Sequence, residues 1–151
     1  MPRILWALLW VALLASGVHA GAAARAEYVG GTSFTLASGE VGSLDAGDEQ
    51  YLAFYTKKGQ IRIAFSRINL LEYGQQVDRR LALAVVLSPV FLLSKKRRHY
   101  LTVGYSDDGK QQALVFQVDK NAIRATLVAL EARTGLKLRF QDQEARKAAG
   151  R

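Results

Sequence analysis

Apolar and polar residues alternate with a period of two over several stretches of the chain, the pattern of strands with one buried face. Ile61, Ile63 and Phe65 alternate with Arg62 and Ala64, and the run Tyr51-Leu-Ala-Phe-Tyr55 lies just before them. Lys57-Lys58-Gly59-Gln60 joins the two runs, so residues 51–65 are expected to form a hairpin with its turn at Gly59. A second pair follows: Tyr100 to Tyr105 and Ala113 to Val118, joined through Asp108-Gly109, a strong hairpin signal. Leu101, Val103 and Tyr105 fall on one face, as do Leu114, Phe116 and Val118. Shorter strands are expected at Thr32 to Leu36 and at Leu71 to Val77, with residues 37–49 as turns.

The period then changes. Ile123, Leu127 and Leu130 recur at helical spacing, and Ala122, Thr126 and Ala129 widen the stripe. Asp119 is placed to cap this helix and Gly135 to end it in a left-handed conformation, giving a length of about 15 residues. Leu136, Leu138 and Phe140 alternate with Lys137 and Arg139, which predicts one more short strand. Residues 141–151 are polar and are expected to be a flexible tail. The order is therefore several antiparallel strands followed by one amphipathic helix: a mainly β fold in which a curved antiparallel sheet, or a barrel, is capped by a single C-terminal helix.

The first 20 residues follow different rules. Arg3 precedes an unbroken apolar run from Ile4 to Ala15, and Val18-His19-Ala20 presents small residues at the positions a signal peptidase reads. This is the layout of a secretory signal peptide, and the run is shorter than the roughly 18–20 residues a membrane-spanning helix needs. Cleavage fits after Ala20 or after Ala26; an uncleaved segment would be an N-terminal anchor. Residues 21–29 read as a linker and residues 30–140 as one domain.

The chain has 151 residues, no cysteine, and 21 basic against 13 acidic residues, a net charge of +8. Absence of cysteine excludes a disulfide framework, a thiol nucleophile and a lipid-modified cysteine. The basic surplus favours an anionic partner.

Six of the cations bracket one apolar run. Leu81 to Leu93 contains 11 apolar residues in 13, with Arg79 and Arg80 before it and Lys95, Lys96, Arg97 and Arg98 after it. Pro89 interrupts a helix, and the run is too short to span a bilayer. Three readings compete: a connection whose apolar side chains cover the sheet, a docking wedge, or an interface with a partner protein. In the second, Phe91 and its neighbours enter the interfacial zone while Arg79, Arg80 and Lys95 to Arg98 meet anionic headgroups.

Catalytic signals are weak. His99 is the only histidine outside the leader, and none of Ser33, Ser38, Ser43, Ser66, Ser88, Ser94 and Ser106 lies in a Gly-x-Ser-x-Gly elbow. His99 follows four cations, which should lower its proton affinity, and it reads as a strand-edge histidine. Asp107-Asp108 belongs to a turn, and Asp45, Asp48 and Glu49 lack a calcium-loop signature. No cofactor, metal or catalytic residue is assigned. Nucleic acid is not expected, because a basic protein that crosses a membrane more often meets lipids or wall polymers.

The phrases Ile61-Arg-Ile-Ala-Phe-Ser-Arg-Ile-Asn-Leu-Leu-Glu-Tyr-Gly-Gln-Gln-Val77, Lys95-Lys-Arg-Arg-His-Tyr-Leu-Thr-Val-Gly-Tyr105 and Val115-Phe-Gln-Val-Asp-Lys-Asn-Ala-Ile-Arg-Ala-Thr-Leu-Val-Ala-Leu-Glu-Ala-Arg-Thr-Gly135 resemble an uncharacterised family of small bacterial exported or membrane-anchored proteins. The resemblance covers residues 30–140. It implies a pleckstrin-homology-like domain and no known activity. The expected function is a non-enzymatic binding or scaffold module in the periplasm or outside the cell, with anionic lipid or an envelope protein as partner. A small exported hydrolase and a peptide-binding envelope adaptor are the alternatives. The hydrolase would need His99, or Glu72 with Asp78, to converge in a cleft.

Overall fold

The computed structural model describes residues 23–32, 35–76, 86–87 and 97–151. The strands are β1 (Ala23–Gly31), β2 (Glu40–Asp45), β3 (Tyr51–Thr56), β4 (Gln60–Ala64), β5 (Ile68–Gly74), β6 (Val86–Leu87), β7 (His99–Asp107), β8 (Lys110–Val118) and β9 (Arg139–Phe140). Two helices follow β8: α1 (Ile123–Thr134) and, after β9, α2 (Gln143–Ala148). A 3-10 turn at Phe65–Arg67 joins β4 to β5.

All described strands belong to one mixed sheet in the order β4-β3-β2-β1-β8-β7-β5-β9, with β6 paired beside the end of β1. Every pairing is antiparallel except β5 with β9. The sheet does not close into a barrel: β4 forms one edge and β9 the other. It curls nonetheless. Strands lie about 4.8 Å apart, so Phe54 on β3 and Phe116 on β8, three steps apart in the order, would sit roughly 14 Å apart on a flat sheet. Their ring centroids are 5.0 Å apart. Tyr28 completes the cluster, 5.9 Å from Phe116.

Inner-face residues of β1 to β5, β7 and β8 form one core with α1. The helix contributes Ile123, Thr126, Leu127 and Leu130, all buried, and packs against β1 and the 3-10 turn. The Thr126 hydroxyl donates to the Ala122 carbonyl at 3.0 Å, which settles its burial. A smaller cluster of Val29, Tyr100 and Val115 is buried on the opposite face of the sheet.

Both expected hairpins form. The β7–β8 turn places Asp108 at φ 48° and Gly109 at φ 74°, so both central residues are left-handed and match the strand twist. The β3–β4 turn is held by the Thr56 hydroxyl, which accepts from the amides of Lys58 and Gly59 at 3.1 Å.

Several boundaries differ from the sequence expectation. Residues 23–29, read as linker, are part of β1. Ala24, Ala26 and Tyr28 point inward and Arg25 and Glu27 lie outside the core, a period-two pattern written in small side chains. The strand expected at 32–36 is not found at its described positions: Thr32, Thr35 and Leu36 lie in the connection from β1 to β2. Residues 37–49, read as turns, contain β2. A Cβ at Gly42 would lie 2.1 Å from the Tyr55 carbonyl oxygen and 3.0 Å from the Phe54 ring, so this strand position admits only glycine. The strand expected at 71–77 starts earlier, at Ile68, and ends at Gly74.

The helix is shorter than expected. Asp119 shapes the turn before it, its carbonyl accepting from Ala122 and Ile123 and its carboxylate from Asn121. The expected tail is ordered by α2. The Asp142 carboxylate caps it from the Ala145 amide at 2.6 Å, and Ala145 is fully buried. Arg151 pairs with Glu131 on α1 at 2.5 Å.

Two outcomes follow. Leu127→Ala is expected to destabilise by about 2–5 kcal/mol, as for a fully buried leucine; chemical denaturation reads it, and a loss under roughly half a kilocalorie would make α1 peripheral. A chain beginning at Glu27 loses Ala24 and Ala26 from the core, whereas one beginning at Gly21 keeps all of β1. The first is expected to melt several degrees below the second; equal melting temperatures would show that these residues add nothing.

Candidate functional site

Residues 75–98 connect β5 to β7, which pair side by side with Gly74 opposite Tyr100. The ladder runs one step further, the Arg98 amide donating to the Gln75 carbonyl at 3.2 Å. A tight turn would suffice between such neighbours. The chain instead leaves and returns through one narrow neck, and the apolar run with its cations lies between. β6, in the middle of that run, pairs with Gly30 and Gly31 at the end of β1.

Of the residues expected to contact membrane or anion, Arg79, Arg80, Phe91, Lys95 and Lys96 lie outside the described residues. Arg97 and Arg98 lie within them and are both engaged. Arg97 pairs with Glu144 on α2 at 2.5 Å, with both side chains more than half exposed, so the pair contributes little to stability. The Arg98 guanidinium donates to the Gln117 side-chain oxygen of β8 at 2.5 Å. These contacts tie the end of the basic run to the domain without bringing the two guanidinium groups to one point.

His99 begins β7, between β5 and β8, so it is not at a sheet edge. Its Nδ1 lies 2.5 Å from the Tyr73 hydroxyl, and the two rings stack with centroids 6.0 Å apart and planes 13° apart. Burial lowers its pKa below the ordinary 6.5; Lys120 lowers it further and Asp119 opposes. The direction agrees with the expectation, and burial is its largest cause. Burial also raises the Tyr73 phenol, against the influence of Arg124. The partner Tyr73 was not evident in the sequence. Pairing Leu71-Glu-Tyr73 antiparallel with Leu101-Thr-Val103 brings it close.

Several of the other flagged acids have partners of their own. Asp107 pairs with Arg67. Asp45 accepts from the Gly47 amide, and Asp48 accepts from Gln50 and Tyr51, contacts that hold its carboxyl below the usual range. Glu72 accepts from the Gln141 side chain at 3.2 Å; Asp78 lies outside the described residues. Among the described residues no three His, Asp or Glu side chains gather where they could hold a metal ion. Among them, too, no helix is long and apolar enough to cross a membrane. Comparison with models of known families and with curated proteins finds no match to this chain.

The histidine carries a pH signature. With its folded pKa below that of the unfolded chain, the folded state binds fewer protons just below pH 6.5, so stability rises with pH across that window and is constant above it. Denaturation midpoints measured across this window are expected to climb for the native chain and to lose most of that slope in His99→Gln. An unchanged slope would place the titrating group elsewhere.

Proposed function

We propose that the chain is an exported, non-enzymatic binding module with a pleckstrin-homology-like domain, and that it docks on anionic membrane surfaces through residues 79–98. The observation that supports this reading is that residues 75–98, which hold the apolar run and its cations in sequence, leave and re-enter the sheet between neighbouring strands, with Gly74 opposite Tyr100 and the Arg98 amide bonded to Gln75. The domain assignment is supported by consecutive antiparallel strands curled around one core and followed by α1. Export is supported by the layout of residues 1–20. Apolar burial and headgroup attraction act together in this reading, the latter at about 1 kcal/mol per cation near the surface. A peptide-binding adaptor is the second reading, favoured by the outer edge of β4, which pairs with no other strand among the described residues.

The test is sedimentation of the protein with vesicles. Binding is expected to phosphatidylglycerol vesicles, to fall with added salt, and to be weak on phosphatidylcholine alone. Lys95→Gln with Lys96→Gln is expected to remove most of it. Arg98→Gln is less diagnostic, because it also breaks the bond to Gln117. Phe91→Ser should lower binding with little change in melting temperature. A large drop in melting temperature, or equal binding to both vesicles, would return the run to the core.

A further inference from the structure

The start of α1 is electrostatically inverted. A helix N-terminus carries partial positive charge and favours acids nearby. The first turn of α1 holds none. Lys120 lies in the turn just before it and Arg124 within its first turn. Both side chains are exposed, and among the described residues neither has a hydrogen-bonding or ion-pair partner. Together with His99, Asn121 and Ala148 of α2 they line a cavity of about 340 Å³. That volume is at the lower end of the roughly 300–1,000 Å³ of small-molecule sites.

The lining is rich in donors. Lys120 and Arg124 can only donate, and the Asn121 side chain can donate. His99 joins them through Tyr73. The Tyr73 hydroxyl and His99 Nδ1 share a hydrogen bond, and in the tautomer in which Tyr73 donates the ring proton is on Nε2. The Arg124 guanidinium lies against Gly150, whose φ of 81° ends α2; a Cβ there would be 3.1 Å from the guanidinium carbon. Asp119, whose charge acts on His99, has its carboxylate engaged by the Asn121 amide at 2.8 Å.

We propose that this cavity binds a phosphate group, with Lys120 and Arg124 neutralising its charge and His99 and Asn121 donating to its remaining oxygens. Phosphate suits the lining because it offers several acceptors and carries nearly two charges at neutral pH, and an arginine fork matches its geometry. The site is distinct from residues 79–98: Arg98, just before β7, reaches Gln117, whereas His99, the first residue of β7, reaches Tyr73 on the other face. It stands or falls independently of membrane docking.

The experiment is calorimetric titration of the full chain with inorganic phosphate at fixed ionic strength, followed in parallel by the His99 imidazole resonance. One saturable site is expected, with a shift of that resonance. Lys120→Gln with Arg124→Gln is expected to weaken binding at least tenfold at unchanged melting temperature. The control pair Lys137→Gln with Arg139→Gln removes the same charge elsewhere and is expected to leave binding intact. Vesicles containing phosphatidic acid identify the source. Binding that depends on Lys120 and Arg124 and is displaced by free phosphate assigns a lipid headgroup; phosphate binding without it assigns a soluble phosphate monoester. Absence of saturation, or equal weakening by both pairs, would overturn the proposal. Loss of vesicle binding in Lys95→Gln with Lys96→Gln, with phosphate binding retained, would separate the two sites.

Discussion

An open sheet with an apolar inner face must be covered, and in this protein α1 is the cover. The curl that brings Phe54 within 5.0 Å of Phe116 creates a trough. Ile123, Leu127 and Leu130 lie in it, each no more than 2% exposed. At about 1.5–3 kcal/mol for each side chain removed from water, their burial outweighs any intrinsic helical preference of a 12-residue segment, which would be marginal alone. The rest of the C-terminal region depends on this seating. Gly135, at φ 70°, turns the chain back toward β5, where β9 adds a parallel strand and α2 follows.

The same constraint explains which parts of the fold were legible. β4, β7, β8 and α1 carry large apolar residues at regular spacing, and each is recognisable from its own sequence. β1 and β2 are not. Their inward positions include Ala24, Ala26 and Leu44, and the close approach of Tyr55 and Phe54 at Gly42 demands absence of a side chain. The strands that cross beneath the aromatic cluster are small because the aromatics on their neighbours fill the space. Residue-by-residue preference reads such small residues as linker or turn, although the alternation of Ala24, Ala26 and Tyr28 with Arg25 and Glu27 was present. α2 was missed for a related reason: the residues it buries, Ala145 and Ala149, are too short to mark an apolar face.

Of the candidate site, the sequence marked the charges but not their partners. Arg97 and Arg98 stood out as part of a basic run, yet the contacts to Glu144 and Gln117 depend on α2 and β8, elements distant in the chain. Lys120 and Arg124 carry no pattern in the sequence that sets them apart. Only the tertiary structure brings them beside His99, because β7 and the turn before α1 meet at the same end of the sheet.

Strand alternation then determines how the positive charge is divided. Arg98 turns to the outer face, toward Gln117, and His99 turns inward, toward Tyr73. One peptide unit therefore separates a cation belonging to the connection from an imidazole lining the cavity. A one-residue shift in the pairing of β7 would exchange them, burying a guanidinium against Tyr73 and exposing the imidazole. Burying an unpaired cation is far costlier than burying a neutral ring, so the electrostatics of this pair reinforce the register that Leu101, Val103 and Tyr105 set by their burial. The sequence Arg98-His99 thus contributes to the alignment of the sheet and keeps the basic loop and the cavity on separate faces.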